Sequence, residues 1–429
     1  MTQASLADNA EETVKLTSPL ASLYPHLLYM ALDLQGKKPY LANNRKEQSK
    51  VAREAGQALM RLQRGLTGDR ELAGTAYFSK PEFLSAYLLY YWPVSFLQTS
   101  LALEELRARG ALPRLGSILD LGAGPGPAAA AAAYFGAERL LLLDKSQEAL
   151  GQAETLLQAL AAAMEMAKRK KGPVFLTDIA DLENRKNLPE GTFDLIIACH
   201  SANELWKRDE QALEKRAGLF GQAVERLSEG GVLLIIEPSA LVTSRPALAL
   251  RDRLLRDFAS GLYCPAPCPD SIPCPMLAAG EGRSCHSTWA WKPYEPVAAL
   301  AAAAGLDRDS VKATWFALKK GNRIAGMNDS RKAPAIPDGA MGDGSLSGRV
   351  VSEPMLNKAG RLRYILCTTA GLATLSARKE TGSGEARAFF DLRRGDMIEA
   401  SELELREGER NFGFVEDSRL KTIFKAPDA

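Results

Sequence analysis

The 429-residue sequence predicts a doubly wound α/β sheet with an all-helical region before it and a small β-rich region after it. Three observations predict this. Between Gly116 and Glu237, five short apolar runs alternate with helical stretches. A glycine-rich turn closes the first of those runs. The apolar spacing is helical up to about residue 112 and strand-like again after about residue 349. The expected divisions are 1–112, helical; 113–245, the sheet core; 246–320, a cysteine-rich segment with the last core strand; 321–348, a linker or loop rich in Gly, Pro, Asp and Ser; and 349–429, β-rich.

The elements follow in order. Phe83 to Leu106, FLSAYLLYYWPVSFLQTSLALEEL, places apolar residues three and four apart, with Pro93 as the expected break. From Gly36 to Leu72 there are nine Lys/Arg against four Asp/Glu. That local excess fits either a solvated helix face or a surface for phosphate. Ser117–Leu121, Leu140–Asp144, Val174–Thr177, Phe193–Ala198 and Val232–Glu237 read as strands, and their near-continuous apolar character suits parallel strands covered on both faces. Pro127–Tyr134 and Gln147–Lys168 supply the first crossover helices. Ser310–Leu318 is a further strand. In the tail, Arg361–Cys367, Ala386–Phe390 and Met397–Glu399 read as short β runs.

Composition narrows the class. The chain is 46% hydrophobic and 25% charged, with a net charge of +2, as in ordinary globular proteins. Near neutrality means that any nucleic-acid surface is local. No run reaches the ~18 uncharged apolar residues of a membrane span. The acidic start MTQASLADNAEETVKL lacks an export or Arg-rich leader pattern, so a cytoplasmic location is expected.

Asp120-Leu-Gly-Ala-Gly-Pro-Gly126 ends the first strand and opens a helix. Gly122, Gly124 and Gly126 allow a sharp turn and a close ligand approach. Asp144, at the end of the next strand, is placed to accept both hydroxyls of a ribose. The G-x-G-x-G spacing differs from the G-x-G-x-x-G of pyrophosphate binders. Asp120 would repel a diphosphate but suits a cationic methionine group. Asp178 is placed for an adenine amino group. From Leu115 to Glu237 the chain resembles a class I methyltransferase, which implies S-adenosylmethionine (AdoMet) as cofactor. The fourth strand runs into Cys199-His-Ser-Ala-Asn-Glu-Leu205, with no Asn/Asp-Pro-Pro-aromatic loop and no cysteine nucleophile of the pyrimidine type. Cys199 reads as core. His200 and Glu204 are the candidate acid–base groups, with a structural role as the other reading.

Four of six cysteines, Cys264, Cys268, Cys274 and Cys285, lie within 22 positions, three of them followed by proline. In a reducing compartment such clusters hold metal more often than they form disulfides. Four thiolates suit either a tetrahedral zinc or an iron–sulfur cluster, and the spacing leaves both open. A radical-AdoMet site is disfavoured, because C-x3-C-x2-C is missing and four cysteine ligands leave no open iron.

The glycine loop, Ala86–Pro93, Asn203-Glu-Leu205, Glu237-Pro238, the Pro267-Cys-Pro…Cys274-Pro…Cys285-His286 run and Tyr364-Ile-Leu-Cys-Thr368 occur in one order. Together they resemble the methyltransferase-like ribosomal small-subunit assembly factors of mitochondria and their bacterial relatives, over most of the chain from about residue 75. The resemblance implies a [4Fe–4S] cluster on Cys268, Cys274, Cys285 and Cys367, leaving Cys264 as an extra cysteine and alternative fourth ligand. Asp270 stands where that family tends to have histidine. The resemblance also implies the small ribosomal subunit and its 16S rRNA as partners; a monomer with no DNA or membrane partner is expected. Basic stretches at Lys37–Arg64, Lys168–Lys171 and Lys319–Arg331 favour RNA. The competing expectation is an AdoMet-dependent methyltransferase of a small molecule or protein with structural zinc.

Overall fold

The computed structural model describes residues 17–37, 44–166, 172–268, 273–306, 309–321, 345–378, 384–406, 411–415 and 418–427. Lys38, Lys168–Lys171, Asp270 and most of Lys319–Arg331 lie outside the described residues, as does nearly all of the expected 321–348 linker.

Alternating apolar runs and helices build one sheet from β1 (Ile118–Leu121), β2 (Arg139–Asp144), β3 (Val174–Ile179), β4 (Phe193–Cys199), β5 (Leu227–Pro238), β6 (Leu262–Ala266), β7 (Ser287–Ala290) and β8 (Ser310–Lys320). The order is β3-β2-β1-β4-β5-β8-β6, with β7 also on β8. β1 to β5 pair in parallel, whereas β8 runs antiparallel to β5 and β6. A parallel doubly wound sheet with one reversed strand set between the fifth and the outer strand is the class I methyltransferase architecture. The carboxyl ends of β1, β2 and β4 meet at the point where the strand order reverses, which is where such sheets take ligands.

Successive strand residues feed two different cores. Ile118, Leu195, Val232 and Leu234 face one, while Leu119, Ile196, Leu233 and Ile235 face the other. The first core is covered by α1 (Thr17–Leu34), α2 (Arg45–Glu54), α3 (Gly56–Gln63), α4 (Pro81–Ala86), α5 (Trp92–Ala108), α6 (Pro127–Tyr134) and α7 (Gln147–Met166). α8 (Ala212–Glu225) and α9 (Leu241–Asp257) cover the second. The N-terminal helices therefore share a continuous core with the sheet, as Leu23, Trp92 and Ile197 do in one cluster.

Two readings of the sequence change here. Pro93 does not break the helical run. It sits in the first turn of α5, where its missing N–H is harmless, after a π-helical turn at Tyr87–Tyr91. β3 is not covered on both faces. It is the edge strand, and Val174, Leu176 and Ile179 are exposed because α7 packs on one side only.

The tail forms a second sheet of β9 (Leu346–Val350), β10 (Met355–Leu356), β11 (Arg361–Thr368), β12 (Gly371–Arg378), β13 (Met397–Ser401), β14 (Glu404–Leu405), β15 (Asn411–Gly413) and β16 (Arg419–Phe424). Its own core holds Tyr364, Phe389, Phe412 and Phe414. Ala386–Phe390 is helical rather than β, within a helix at Gly384–Phe390, because one turn is enough to drop Phe389 onto the rings of Tyr364 and Phe414. Among the described residues no helix is long and apolar enough to cross a membrane.

Candidate functional site

The turn after β1 is made of left-handed glycines, with φ of +73° at Gly122, +53° at Gly124 and +73° at Gly126. The amides of Gly122 and Ala123 donate to the carbonyl of Leu143 at 2.8 and 2.9 Å, which ties the turn to β2. The three glycines exist for different reasons. A Cβ on Gly122 would lie 2.5 Å from Ser201 Cβ, and one on Gly126 2.9 Å from Ala153 Cβ. Both are packing constraints. A Cβ on Gly124 would meet only the Phe78 ring, at 3.4 Å. Gly124 lines a cavity of about 540 Å³, with Asp144 beside it.

Asp144 accepts hydrogen bonds from the amides of Gly124 and Ser146, each at 2.8 Å. Burial holds its carboxyl above the ordinary range. Asp120 does not line the cavity. It is buried behind the loop, where Oδ2 accepts the Ala129 amide at 3.1 Å and so caps α6, and burial raises it to about 7. Its Oδ1 has no hydrogen-bond partner. Asp178 also lies away from the cavity. It is the fifth residue of β3, pointing outward, and it pairs with Arg185 at 2.9 Å. Asp181, three positions on, lines the cavity instead. The strand extends two residues further than the sequence pattern suggests, which moves the strand-end acid along.

Aromatic rings from the N-terminal region close the other wall. Tyr77, Phe78, Tyr87, Tyr90 and Tyr91 line it, with Tyr77–Phe78 and Phe78–Tyr87 centroids 4.4 and 5.0 Å apart. The π turn brings Tyr87, Tyr90 and Tyr91 onto one side. Trp92 Nε1 donates to the Pro125 carbonyl at 2.9 Å and fastens α5 to the glycine loop. Sequence periodicity marks these aromatics only as core; their value to the site depends on where the helix lies.

His200 and Glu204 both line the cavity. Gln98 Nε2 donates to the Lys312 carbonyl at 2.8 Å, so its Oε1 must face His200 Nε2, 2.7 Å away. His200 therefore carries its proton on Nε2, and burial lowers it to about 4. A neutral imidazole so far below 7, at a φ of +61°, is a poor general base and a good structural tie. Glu204 is pushed up to about 7, first by burial, while the Gly74 amide donates to it at 2.9 Å. Asn203 lies between Arg70, which donates to its Oδ1 at 2.6 Å, and the fully buried Glu237, which accepts its amide at 3.0 Å. Cys199 ends β4, half-buried, and Thr99 donates to its sulfur at 3.7 Å.

Cys274, Cys285 and Cys367 gather away from this cavity, at the tail sheet. Cys274 and Cys367 are in one small apolar cluster with Leu248, Met276 and Val351, and Cys285 packs against it. Burial raises the thiols of Cys274, Cys285 and Cys367, Cys285 to about 12, and Cys268 adds to the effect at each. Cys268 is lowered to about 6 by a hydrogen bond from Cys264 and then by Arg251, Arg349 and Arg109. Cys264 is buried in the core of β5, α8 and α9, against which Cys268 also packs, and its thiol lies 3.3 Å from the Ala266 carbonyl. Among the described residues, no three His, Cys, Asp or Glu stand in metal-holding geometry as arranged.

The basic stretches are partly engaged. Lys37 pairs with Glu54 at 3.1 Å, and the Lys319 and Lys320 ammonium groups donate to main-chain carbonyls of Ala111 and Leu227.

The profile of the family described as "Mitochondrial small ribosomal subunit Rsm22" matches residues 82–296. Among solved structures, the fold resembles a S-adenosylmethionine-dependent methyltransferase from Clostridium acetobutylicum at 22% identity over 33% of this chain and 49% of that one, with a TM-score of 0.24. It also resembles the magnesium protoporphyrin IX methyltransferase of Synechocystis with bound SAM, at 15% identity over 53% and 81% with a TM-score of 0.32. A S-adenosylmethionine dependent methyltransferase from Mesorhizobium loti aligns at 19% identity over 51% and 97%, with a TM-score of 0.28. The chain thus spans about half the length of the first of these. A search of curated proteins finds no match.

Proposed function

Because the chain belongs to the family described as mitochondrial small ribosomal subunit Rsm22, we propose that it is an AdoMet-binding factor acting on the small ribosomal subunit and its 16S rRNA, as an assembly factor and possible rRNA methyltransferase. The observation that carries the AdoMet reading is Gly124. Gly122 also lines the cavity, but a side chain there would first strike Ser201; at Gly124 only the Phe78 ring stands near, and Gly124 sits against Asp144. In this reading Asp144 would accept the ribose hydroxyls, Asp181 and Leu182 would hold the adenine, and the tyrosine wall would exclude water from the methionine end. Asp120 acts behind the loop, by fixing α6.

His200 is too weak a base to take a proton from an acceptor at neutral pH. Glu204, near 7, is the group able to hold or release one there. AdoMet supplies the methyl group in any transfer; the chain's own residues bind, orient and exclude water.

The four-thiol set fits a thiolate-bound metal centre on its donor chemistry, with Cys268, Cys274, Cys285 and Cys367 as ligands. Cys264 stands as the alternative fourth ligand: it is buried in the core against which Cys268 also packs, whereas Cys274, Cys285 and Cys367 meet in the small apolar cluster at the tail sheet. A [4Fe–4S] cluster, or zinc in the alternative, would supply structural cross-linking between the core and the tail sheet. Calorimetry with AdoMet and S-adenosylhomocysteine, followed by co-sedimentation with small ribosomal subunits with and without AdoMet, tests the proposal. Saturable binding in both is expected. A protein that binds AdoMet but not subunits supports the small-molecule or protein methyltransferase instead.

A further inference from the structure

The four cysteines come from three separate stretches of chain, and buried scaffold groups pin the backbone beside them. Asp252 Oδ2 accepts the amide of Cys274 at 2.7 Å, and Thr314 Oγ1 donates to the carbonyl of Cys285 at 2.7 Å. The carbonyl of Pro267, one residue before Cys268, accepts from Arg349 at 3.2 Å and from Arg109 at 3.5 Å. Cys367 on β11 is the direct cross-strand partner of Arg349 on β9. Arg349 Nη2 also donates to Ser287 Oγ at 3.1 Å, two residues past Cys285. One side chain from the tail sheet thus stands next to the chain at three of the four cysteines.

Arg349 is held there by charge. Both of its terminal nitrogens reach the carboxylate of Glu105 on α5, which is 0% exposed, while Arg349 itself is 4% exposed. Arg109 bonds the same carboxylate at 2.6 Å. Among the described residues, two guanidiniums thus share the one buried carboxylate of Glu105 at this junction, close to the thiols. Removing one partner of such a buried pair is strongly destabilising, because it leaves a charge uncompensated. The planar fork of arginine can serve Glu105, Pro267 and Ser287 together, which the single ammonium of lysine cannot.

We propose that Arg349 is a positioning residue that docks the tail sheet and sets Cys367 and the Cys268 loop in place before any metal binds. This rests on the four-thiol reading above and deepens it: the metal would add to a docked interface that the protein makes without it. The tail is then held by an ion pair, and the metal adds a clasp.

Hydrogen–deuterium exchange on metal-stripped, reduced protein tests it, comparing wild type with Arg349→Met, Arg349→Lys and Cys367→Ser. Wild type and Cys367→Ser should protect Leu262–Cys268 and the β9 and β11 strands alike, whereas Arg349→Met should lose protection in both. The same proteins are then reconstituted without oxygen, with ferrous iron and sulfide or with zinc alone, and challenged with a chelator. Arg349→Lys should keep the Glu105 pair and the protection, yet hold metal against the chelator about 10- to 100-fold more weakly, the usual cost of losing groups that orient ligands. Should Arg349→Met fail to fold, Arg349→Lys alone decides the matter. Unchanged protection in Arg349→Met overturns the proposal, as does loss of protection in Cys367→Ser or wild-type metal retention in Arg349→Lys. A wild type that takes up neither iron nor zinc defeats the four-thiol reading, and the exchange comparison still decides the docking role.

Discussion

Replacing the three loop glycines one at a time separates packing from ligand binding. All three have φ between +53° and +73°, so alanine strains each by about 1–2 kcal/mol. Their surroundings differ. At Gly122 and Gly126 the new methyl would stand 2.5 and 2.9 Å from Ser201 Cβ and Ala153 Cβ, inside the ~3.5 Å at which carbons rest. Overpacking of that kind adds about 1–3 kcal/mol. At Gly124 the nearest atom is 3.4 Å away, so only the strain applies. With roughly 2–4 °C per kcal/mol for a unit of this size, Gly124→Ala should lower the melting temperature by about 2–8 °C, and the other two by clearly more. Binding should follow a different order. Gly124→Val places two methyl groups at the cavity wall and should raise the AdoMet Kd by at least about tenfold, or ~1.4 kcal/mol, in a protein that still folds. Thermal melts and calorimetry on the same preparations read both quantities. Wild-type affinity in Gly124→Val would refute the assignment of the cavity, and equal destabilisation at all three positions would refute the packing argument.

Asp144→Ala should weaken AdoMet by about 1–3 kcal/mol, the cost of removing a charge-assisted hydrogen-bond pair, read by the same titration. Burial raises Glu237 from 4.5 to about 8, so the folded protein holds that proton more tightly than the unfolded chain does. Its contribution is complete below about pH 4.5 and is lost as pH rises towards 8; urea midpoints should show a steeper fall over that window in wild type than in Glu237→Gln. Cys264→Ser should retain iron or zinc, whereas Cys367→Ser should lose it, and metal analysis giving the reverse would hand the fourth position to Cys264. Reversing charge at Arg45, Lys46 and Lys50 should weaken 16S rRNA binding and flatten its salt dependence by ~0.7–0.9 in slope for each phosphate that is no longer neutralised; an unchanged slope marks that helix face as merely solvated.

What could be read from the sequence was local in origin. The five parallel strands follow from apolar runs of strand length, and the glycine turn follows from three residues that tolerate positive φ. β8 was visible as Ser310–Leu318, though not its insertion between β5 and β6, because strand order is set by long-range pairing. The misplaced acid at the end of β3 has the same cause. Asp178 and Asp181 are equally acidic in sequence, and only the length of strand paired to β2 decides which one reaches the cavity. Ala386–Phe390 alternates like a strand yet folds as a helix, since docking Phe389 against Tyr364 and Phe414 outweighs a weak local preference.

The N-terminal helices were the least legible part. Phe83–Leu106 reads as an amphipathic helix of a separate unit, but its apolar face is shared with β1, β4 and β5, and its π turn presents Tyr87, Tyr90 and Tyr91 to the cavity. The same α5 that closes the cavity with Gln98 carries Glu105 two turns further on, where Arg349 of the tail sheet binds. At a rise of 1.5 Å per residue, the two positions are about 10 Å apart along one rigid helix. The AdoMet cavity and the four-cysteine joint therefore share a strut, and Trp92, bonded to the glycine loop, fixes its other end. A helix anchored at the loop, the cavity wall and the tail cannot shift at one of these points while leaving the others in place. Any coupling between cofactor and tail in this protein has its most direct physical route through α5, by rigid-body displacement rather than through a chain of flexible side chains.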